Sequence, residues 1–114
     1  GLLSADFKVY QKGQPNSSFA YASSKAALVQ LTKNMAIKYA KNNIRVNMLT
    51  PGIFPNPKYQ KKFPTFLKNI KSKIALNRTG NPEEIITSIL FLSSPYSSYI
   101  TGANLIVDGG YAII

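Results

Sequence analysis

Neither cysteine nor histidine occurs among the 114 residues of the chain. Without cysteine, disulfide bonds and thiolate metal sites are excluded, and the composition fits a reducing compartment, so we expect a cytoplasmic protein. Without histidine, neither a histidine-based triad nor an imidazole metal site can form within this chain, and we predict no metal. No run of about 18 uncharged apolar residues occurs either, so we predict no membrane span and no membrane partner.

Acidic residues are also scarce, because only 4 Asp and Glu stand against 14 Lys and Arg, for a formal net charge of +10. An excess of this size is typical of proteins that bind nucleic acid. Only two of the 14 are arginine, however, and arginine is the side chain that specific readers of bases use most often. Lysine, asparagine and isoleucine are all abundant, as an AT-rich coding sequence would give, so we predict no nucleic-acid partner.

The length allows one small domain with a hydrophobic core. The sequence begins with Gly1 rather than Met, and its opening lacks the basic-then-apolar layout of a signal peptide. We therefore expect these residues to be a piece of a longer polypeptide.

Hydrophobic periodicity and turn-forming residues divide the sequence into helices and strands. Asn81-Pro82-Glu83-Glu84 is a typical helix start, with asparagine as the N-cap, proline first and glutamate third. Four of the seven prolines fall between residues 51 and 64, which favours a loop there. The predicted elements are a loop over 1–19, helices over 20–42, 64–76 and 82–93, strands over 44–50 and 103–108, and a loop over 51–64.

The order helix, strand, helices and strand is typical of an α/β protein with a parallel sheet and crossover helices. Two strands do not complete such a sheet, so we expect the chain to supply only part of one. In isolation it would then expose an unpaired strand edge and the sheet-facing sides of its helices.

The helix predicted over 20–42 is apolar on two sides. A helix of this kind must be covered on both, so we expect the side with small residues to lie in a close contact, within the subunit or across a dimer. The stripe of large residues is Leu28, Leu31, Met35 and Tyr39, and the stripe of small ones is Ala22, Ala26, Val29, Ala36 and Ala40.

Tyr21 and Lys25 are the candidate reactive residues, in the stretch Tyr-Ala-Ser-Ser-Lys. Positions four apart lie on one face of a helix, so both side chains project the same way near its N-terminal end. A neighbouring ammonium and the positive end of the helix dipole both favour a phenolate, which a general acid–base tyrosine requires near neutral pH. Most pairs at this spacing reflect only packing and solvation, so the motif alone assigns no function.

Four motifs in sequence give this pair its context. They are Tyr-Ala-Ser-Ser-Lys-Ala-Ala-Leu from residue 21, Ile-Arg-Val-Asn-Met-Leu-Thr-Pro-Gly from 44, Asn-Pro-Glu-Glu-Ile from 81, and Tyr-Ile-Thr-Gly-Ala-Asn-Leu-Ile-Val-Asp-Gly-Gly from 99. In this order and register, the stretch 20–111 resembles the C-terminal half of a short-chain dehydrogenase/reductase. The resemblance implies the C-terminal portion of a Rossmann-type doubly wound parallel sheet, and a nicotinamide cofactor, NAD or NADP.

The resemblance also implies roles for individual residues. Tyr21 would be the catalytic acid–base and a cofactor-binding residue. Lys25 would bind the nicotinamide ribose and take part in catalysis by favouring the Tyr21 phenolate. The stretch that runs past the nicotinamide, and holds its carboxamide through backbone groups, would be Pro51, Gly52, Ile53 and Phe54.

The same resemblance implies a substrate site and an assembly. Residues 54–76 match the variable lid over a small-molecule substrate, whose hydroxyl and carbonyl forms the enzyme would interconvert. Helix 20–42 matches the element that packs across subunits, so a homodimer or homotetramer is expected.

Parts of the family pattern are not found here, namely the Gly-x-x-x-Gly-x-Gly phosphate loop and the Asn-Ala-Gly segment. We therefore expect residues 1–114 to be the C-terminal part of one Rossmann-type domain, inactive when isolated. At the usual spacing of the family's catalytic serine before the tyrosine stands Lys8, so we expect that serine upstream of Gly1. Ser4, Ser17 and Ser18 are the alternatives, for which turn formation is the simpler role.

The substrate is indicated only indirectly. The long insertion before Tyr21 and the Pro-Gly-Ile-Phe-x-Asn stretch resemble family members that act on sugar-related precursors, such as bacterial flagellin-glycosylation proteins. Six lysines on or beside the lid helix favour an anionic substrate: Lys58, Lys61, Lys62, Lys68, Lys71 and Lys73. The alternative is a non-catalytic homologue that acts only as an interaction module through helix 20–42.

Overall fold

The computed structural model of the protein describes residues 18–113. Most of the loop predicted over 1–19, with Ser4 and Ser17, lies outside the described residues. Two short 3₁₀ turns, Pro95–Ser97 and Tyr111–Ile113, accompany the longer elements. In chain order these are α1 (Phe19–Ala40), β1 (Met48–Pro51), α2 (Pro57–Lys62), α3 (Pro64–Lys71), α4 (Pro82–Ser93) and β2 (Asn104–Val107).

The two strands form a parallel pair, in register from Met48 opposite Asn104 to Pro51 opposite Val107. The helices α2, α3 and α4 lie between them in sequence, and α4 packs against both strands. The connection is therefore a helical crossover, which parallel strands require. The predicted parallel α/β arrangement is confirmed, and both strands end at the same edge.

The strand β1 is shorter than the one predicted over 44–50. Val46 N–H donates to Thr101 Oγ1 at 3.1 Å, and the Asn47 side-chain amide donates to Ile100 O at 2.9 Å. A backbone bond from Gly102 N–H to Val46 O at 2.7 Å also joins the two segments, so side-chain hydrogen bonds interrupt the strand ladder before residue 48 rather than replace it. Alternating hydrophobicity predicts an extended chain correctly here, but it does not tell a ladder from side-chain bonding.

The loop predicted over 51–64 is wrong in part, because it contains α2 and the first residue of α3. Pro57 and Pro64 occupy the first helical position, where the absent N–H is not needed and the fixed φ suits a helix. Asn56 caps α2, and its side-chain oxygen accepts a hydrogen bond from Tyr59 N–H at 2.8 Å.

The helices α1 and α4 lie close to their predicted ranges, whereas α3 is shorter. In α4 the predicted capping box is present, with the Glu84 carboxylate accepting from Asn81 N–H at 2.8 Å. The helix α3 ends at Lys71 rather than at residue 76, because the next turn tightens to three-residue hydrogen bonds such as Lys73 N–H to Ile70 O at 3.0 Å.

A small hydrophobic core lies beneath α3. Its buried residues are the predicted apolar face of that helix, Phe66, Leu67, Ile70 and the nearby Ile74. Side chains from the loop after β1, from α2 and from the C-terminal end pack against the cluster: Ile53, Tyr59, Phe63 and Tyr111. The core therefore joins the lid to the chain that leaves β1.

The helix α1 makes little contact with the rest of the described chain. Ala36 is its one buried residue, and a Cβ built at Gly102 would lie 3.5 Å from the Ala36 Cβ. The large stripe is open, with Leu28, Leu31 and Met35 exposed by 39, 49 and 36%. Cover for that stripe from outside the described residues stays a prediction.

No helix within residues 18–113 is both long and apolar enough to cross a lipid bilayer.

Candidate active site

The first turns of α1 carry both candidate reactive side chains. Ser18 is the N-cap, and its hydroxyl oxygen accepts a hydrogen bond from Tyr21 N–H at 3.1 Å. Tyr21 is thus the third residue of the helix, and Lys25 follows one turn later on the same face. Ser18, one of the alternative catalytic serines, is engaged here as a helix cap.

Tyr21 and Lys25 are brought together as their spacing predicts. The Lys25 Nζ atom lies 5.5 Å from the centroid of the Tyr21 ring, within the range of a cation–π contact. The Tyr21 side chain is 54% exposed, so its hydroxyl group can exchange a proton with solvent or with a bound molecule.

Proximity of ring and ammonium is not by itself distinctive. Lys38 Nζ lies at the same 5.5 Å from the Tyr39 ring, near the C-terminal end of the same helix. What separates the two pairs is their place, because only Tyr21 and Lys25 lie in the N-terminal turns where the helix dipole is positive. The second pair is therefore a natural control for the first.

Residues 51–54, which we call the wall, leave the sheet at the end of β1. Gly52 N–H donates to Val107 O at 2.9 Å. A Cβ on Gly52 would lie 2.6 Å from the Asp108 Cα, so only glycine lets the two strand ends approach this closely.

The wall is also contacted by the turn that precedes α4. Gly80 N–H donates to Ile53 O at 3.0 Å. A Cβ on Gly80 would lie 2.2 Å from Phe54 Cε1, which shows that the Phe54 ring rests directly on the Gly80 backbone. Gly52 thus lets the wall approach Asp108 at the end of β2, and Gly80 lets the turn before α4 approach the Phe54 ring.

An ion pair closes this turn. Arg78 donates to both carboxylate oxygens of Glu84, at 2.9 and 2.7 Å. The hydrogen bond from Arg78, with that from Asn81 N–H, lowers the pKa of Glu84 to about 2. Because this pKa is depressed on folding, the stabilisation is fully present above the ordinary carboxyl pKa, declines as pH falls from there, and is lost once pH has fallen through about 2.

A cavity of about 320 Å³ lies beside the wall on the lid side. Its lining includes Gly52, Ile53 and Phe54 from the wall, with Tyr59 and Phe66 from the lid. The Tyr59 ring lies 4.7 Å from Phe63 and 5.9 Å from Phe66, centroid to centroid, so the aromatic side chains fix the two lid helices to each other.

The sequence alone did not point to α2, to Tyr59 or to the contacts of Gly80 with the wall. A signal was present for α2, because Asn-Pro precedes it just as Asn81-Pro82 precedes α4. Nothing in the sequence pairs Gly80 with Phe54, since that contact depends on how the crossover folds back. Tyr21 meets Lys25, and the wall meets the turn before α4. Within residues 18–113, no hydrogen bond, ion pair or ring contact joins these two groups to each other.

A parallel strand pair joined by a helical crossover is the unit from which Rossmann-type α/β sheets are built. A family profile described as Enoyl-(Acyl carrier protein) reductase matches residues 2–112. The chain belongs to the short-chain dehydrogenase/reductase family, as the resemblance of its motifs predicts.

Individual relatives agree with this assignment. The chain is 43% identical to the 3-oxoacyl-(acyl-carrier-protein) reductase FabG of Thermotoga maritima over 101 residues, which cover 89% of this chain and 39% of the relative. It is 45% identical to the 7alpha-hydroxysteroid dehydrogenase of Paraclostridium sordellii over 93 residues, or 80% of this chain and 35% of the relative.

A solved structure of a short chain dehydrogenase from Leptospira borgpetersenii, with bound NAD+, superposes with a TM-score of 0.82. It shares 39% identity with the chain, and the match covers 96% of this chain and 39% of that one. The chain thus spans about two fifths of the length of the relatives it matches.

Proposed function

We propose that this chain carries the catalytic tyrosine and lysine of an NAD(P)-dependent oxidoreductase that interconverts a hydroxyl and a carbonyl group on a small molecule. The observation that carries the proposal is the placement of Tyr21 and Lys25 together on the N-terminal turns of α1. Membership of the family supports it, as do the names of two relatives, a 3-oxoacyl reductase and a hydroxysteroid dehydrogenase.

Tyr21 would act as the acid–base. Its phenol would donate a proton to the carbonyl oxygen during reduction and would take a proton from the hydroxyl group during oxidation. The cofactor, when bound, supplies or accepts the hydride at the carbon that carries this carbonyl or hydroxyl oxygen.

Lys25 and the wall would bind the cofactor. The three N–H donors of the Lys25 ammonium suit the hydroxyl groups of a ribose. Ligands of open α/β sheets bind outside the carboxyl ends of the strands, which is where residues 51–54 and the 320 Å³ cavity lie. The cavity is of the size used for small ligands, so the residues present fit the nicotinamide end of NAD or NADP.

The proposal is tested by incubating the complete natural polypeptide with NADH or NADPH and a panel of ketones and aldehydes. Loss of reduced nicotinamide that depends on both the protein and a carbonyl compound would support it. Binding of neither NADH nor NADPH would favour the alternative, an interaction module built on the exposed stripe of α1.

We infer that the substrate is anionic, such as an acidic sugar or a nucleotide sugar. The lid helices α2 and α3 present five exposed lysines, and residues 7–82 contain neither Asp nor Glu. The segment therefore offers no carboxylate of its own to neutralise them. The exposed lysines are Lys58, Lys61, Lys62, Lys68 and Lys71.

Added salt is therefore expected to lower kcat/KM. The screening length falls from roughly 30 Å at 10 mM ionic strength to a few ångströms near 1 M, so steering of an anion by the lid should fade. The double substitution Lys58→Gln and Lys61→Gln should flatten the salt dependence, whereas Lys33→Gln on α1 should not. A kcat/KM that is the same from about 10 to 500 mM salt would point to a neutral substrate.

We also infer that the open stripe of α1 pairs with another copy of the chain, in a homodimer or homotetramer. Exposed apolar residues at helical spacing form a continuous surface of the kind found at interfaces. The buried Ala36 contacts Gly102 within the chain instead, so the small stripe provides an intra-subunit contact at that point.

Glutamate substitutions should separate these two roles of α1. Leu31→Glu should lower the oligomeric state measured by sedimentation while the protein stays folded. Ala36→Glu should lower the melting temperature itself, because it buries an unpaired charge. Unchanged sedimentation of soluble Leu31→Glu protein would mean that the stripe faces solvent in the assembly.

A further inference from the structure

The wall at residues 51–54 separates two cavities. Ile53 and Phe54 line both the 320 Å³ cavity on the lid side and a second cavity of about 460 Å³ on the side of α4. Protein segments are normally held by close packing on every side. Within residues 18–113, the wall is held between these two cavities by the contacts of its own backbone and side chains.

Some of these contacts come from the sheet and the core. Gly52 N–H donates a hydrogen bond to Val107 O. The Ile53 side chain packs against the cluster of Phe66, Leu67 and Ile70. The Ile53 carbonyl and the Phe54 ring are contacted from the opposite side by Gly80.

Glu84 fixes the chain on both sides of Gly80. Its carboxylate accepts two hydrogen bonds from Arg78, two residues before Gly80, and one from Asn81, the residue after it. One side chain at the start of α4 therefore sets the position of the glycine that contacts the wall. We call Arg78, Gly80 and Glu84 the brace.

The second cavity does not have the character of a further ligand site. Its charged side chains are already engaged, since Arg78 and Glu84 pair with each other and the Asp108 carboxylate accepts from Gly110 and Ala112 N–H at 2.8 Å each.

We propose that the brace positions the wall, and that it thereby sets the affinity for the nicotinamide end of the cofactor without taking part in proton transfer. The effect on cofactor affinity rests on the proposed function, whereas the positioning of the wall concerns only the fold. Arg78, Gly80 and Glu84 are thus positioning residues, and Tyr21 remains the group that moves the proton.

The first test compares two neighbouring carboxylates. Glu84→Gln keeps an acceptor for Asn81 N–H but removes the ion pair, whereas Glu83→Gln changes an exposed carboxylate that forms no ion pair with any of the described residues. In the complete polypeptide, Glu84→Gln should weaken NAD(P)H binding by roughly two- to fivefold, the range for an exposed ion pair. The turnover number kcat should hold, and Glu83→Gln should match the wild type.

The second test uses the contact between Gly80 and Phe54. The backbone at Gly80 is not in the left-handed region, so Gly80→Ala acts through the ring that its methyl group would displace. We expect cofactor affinity to fall by roughly tenfold, as for an overpacked contact. In a Phe54→Ala background the same substitution should have little further effect, because the ring is gone.

Hydrogen exchange gives a readout that needs no cofactor. The amides of Gly52 and Gly80 should exchange faster in Glu84→Gln than in Glu83→Gln, while those of β2 stay protected. Unchanged exchange at both glycines would overturn the inference. Faster exchange with unchanged cofactor affinity would mean that the brace is purely structural, and would contradict the affinity half of the inference. A wild-type protein that binds neither cofactor would refute the proposed function and the affinity half, and the exchange data would still decide the structural half.

Discussion

Tyr21→Phe in the complete polypeptide is expected to lower turnover by roughly 10²–10⁴-fold, the usual loss when a general acid–base is removed. The substitution keeps the ring and removes only the hydroxyl group that would carry the proton. Cofactor affinity should stay near that of the wild type, because the Lys25 ammonium and the backbone of the wall are retained. The measurements are kcat with a reducible carbonyl compound and the Kd for NADH or NADPH.

Tyr39→Phe is the matched control for this experiment. Tyr39 lies on the same helix, with Lys38 Nζ at the same distance from its ring. Loss of turnover in Tyr21→Phe alone would show that the effect belongs to the site and not to ring–cation contacts on α1. Near-normal turnover of Tyr21→Phe would rule out the assigned role.

The cofactor side and the proton side of the site should respond differently to mutation. Variants of the brace are expected to raise the Kd for the cofactor and leave kcat unchanged. Tyr21→Phe should instead lower kcat and leave the Kd unchanged. This split follows from where the residues lie, because the wall and the brace are at the carboxyl end of β1 and Tyr21 is at the start of α1. A variant of either group that changed both quantities equally would show that the site acts as one unit.

Local signals in the sequence were sufficient for α4 and β2. The range 82–93 follows from Asn81, Pro82 and Glu84, whose capping contacts form within four residues. The strand β2 lies within the predicted 103–108. The capping contacts of α4 are local, and the pairing of β2 with β1 left that strand inside its predicted range.

The loop predicted where α2 lies was wrong, because proline favours both loops and the first position of a helix. Pro57 and Pro64 are at helix starts, whereas Pro51 ends β1 and Pro55 lies in the loop between. Asn56 is the cap that identifies α2, whereas α3 begins at Pro64 without a side-chain cap.

Tyr21 and Lys25 are easier to predict from the sequence than the residues that contact the wall. Tyr21 and Lys25 lie one turn apart, so their meeting follows from helical spacing alone. Gly80 and Phe54 are 26 positions apart in the numbering, and they meet only because the crossover returns past the end of β1. A sequence motif records neither that return nor the cavities on both sides of the wall.

Lys25→Ala is expected to damage both turnover and cofactor affinity, since one ammonium is proposed to serve both. Loss of hydrogen bonds from a charged donor should weaken NAD(P)H binding by roughly ten- to a hundredfold. Turnover should fall as well, because the cation beside the Tyr21 phenol is removed.

Lys38→Ala is the control, as it removes the equivalent ammonium from Tyr39. Lys25→Arg should restore only part of the loss, because a planar guanidinium cannot replace a compact ammonium at the same point. If Lys25→Ala lowered turnover and left cofactor affinity intact, the ribose contact would be wrong and Lys25 would act on the phenol alone.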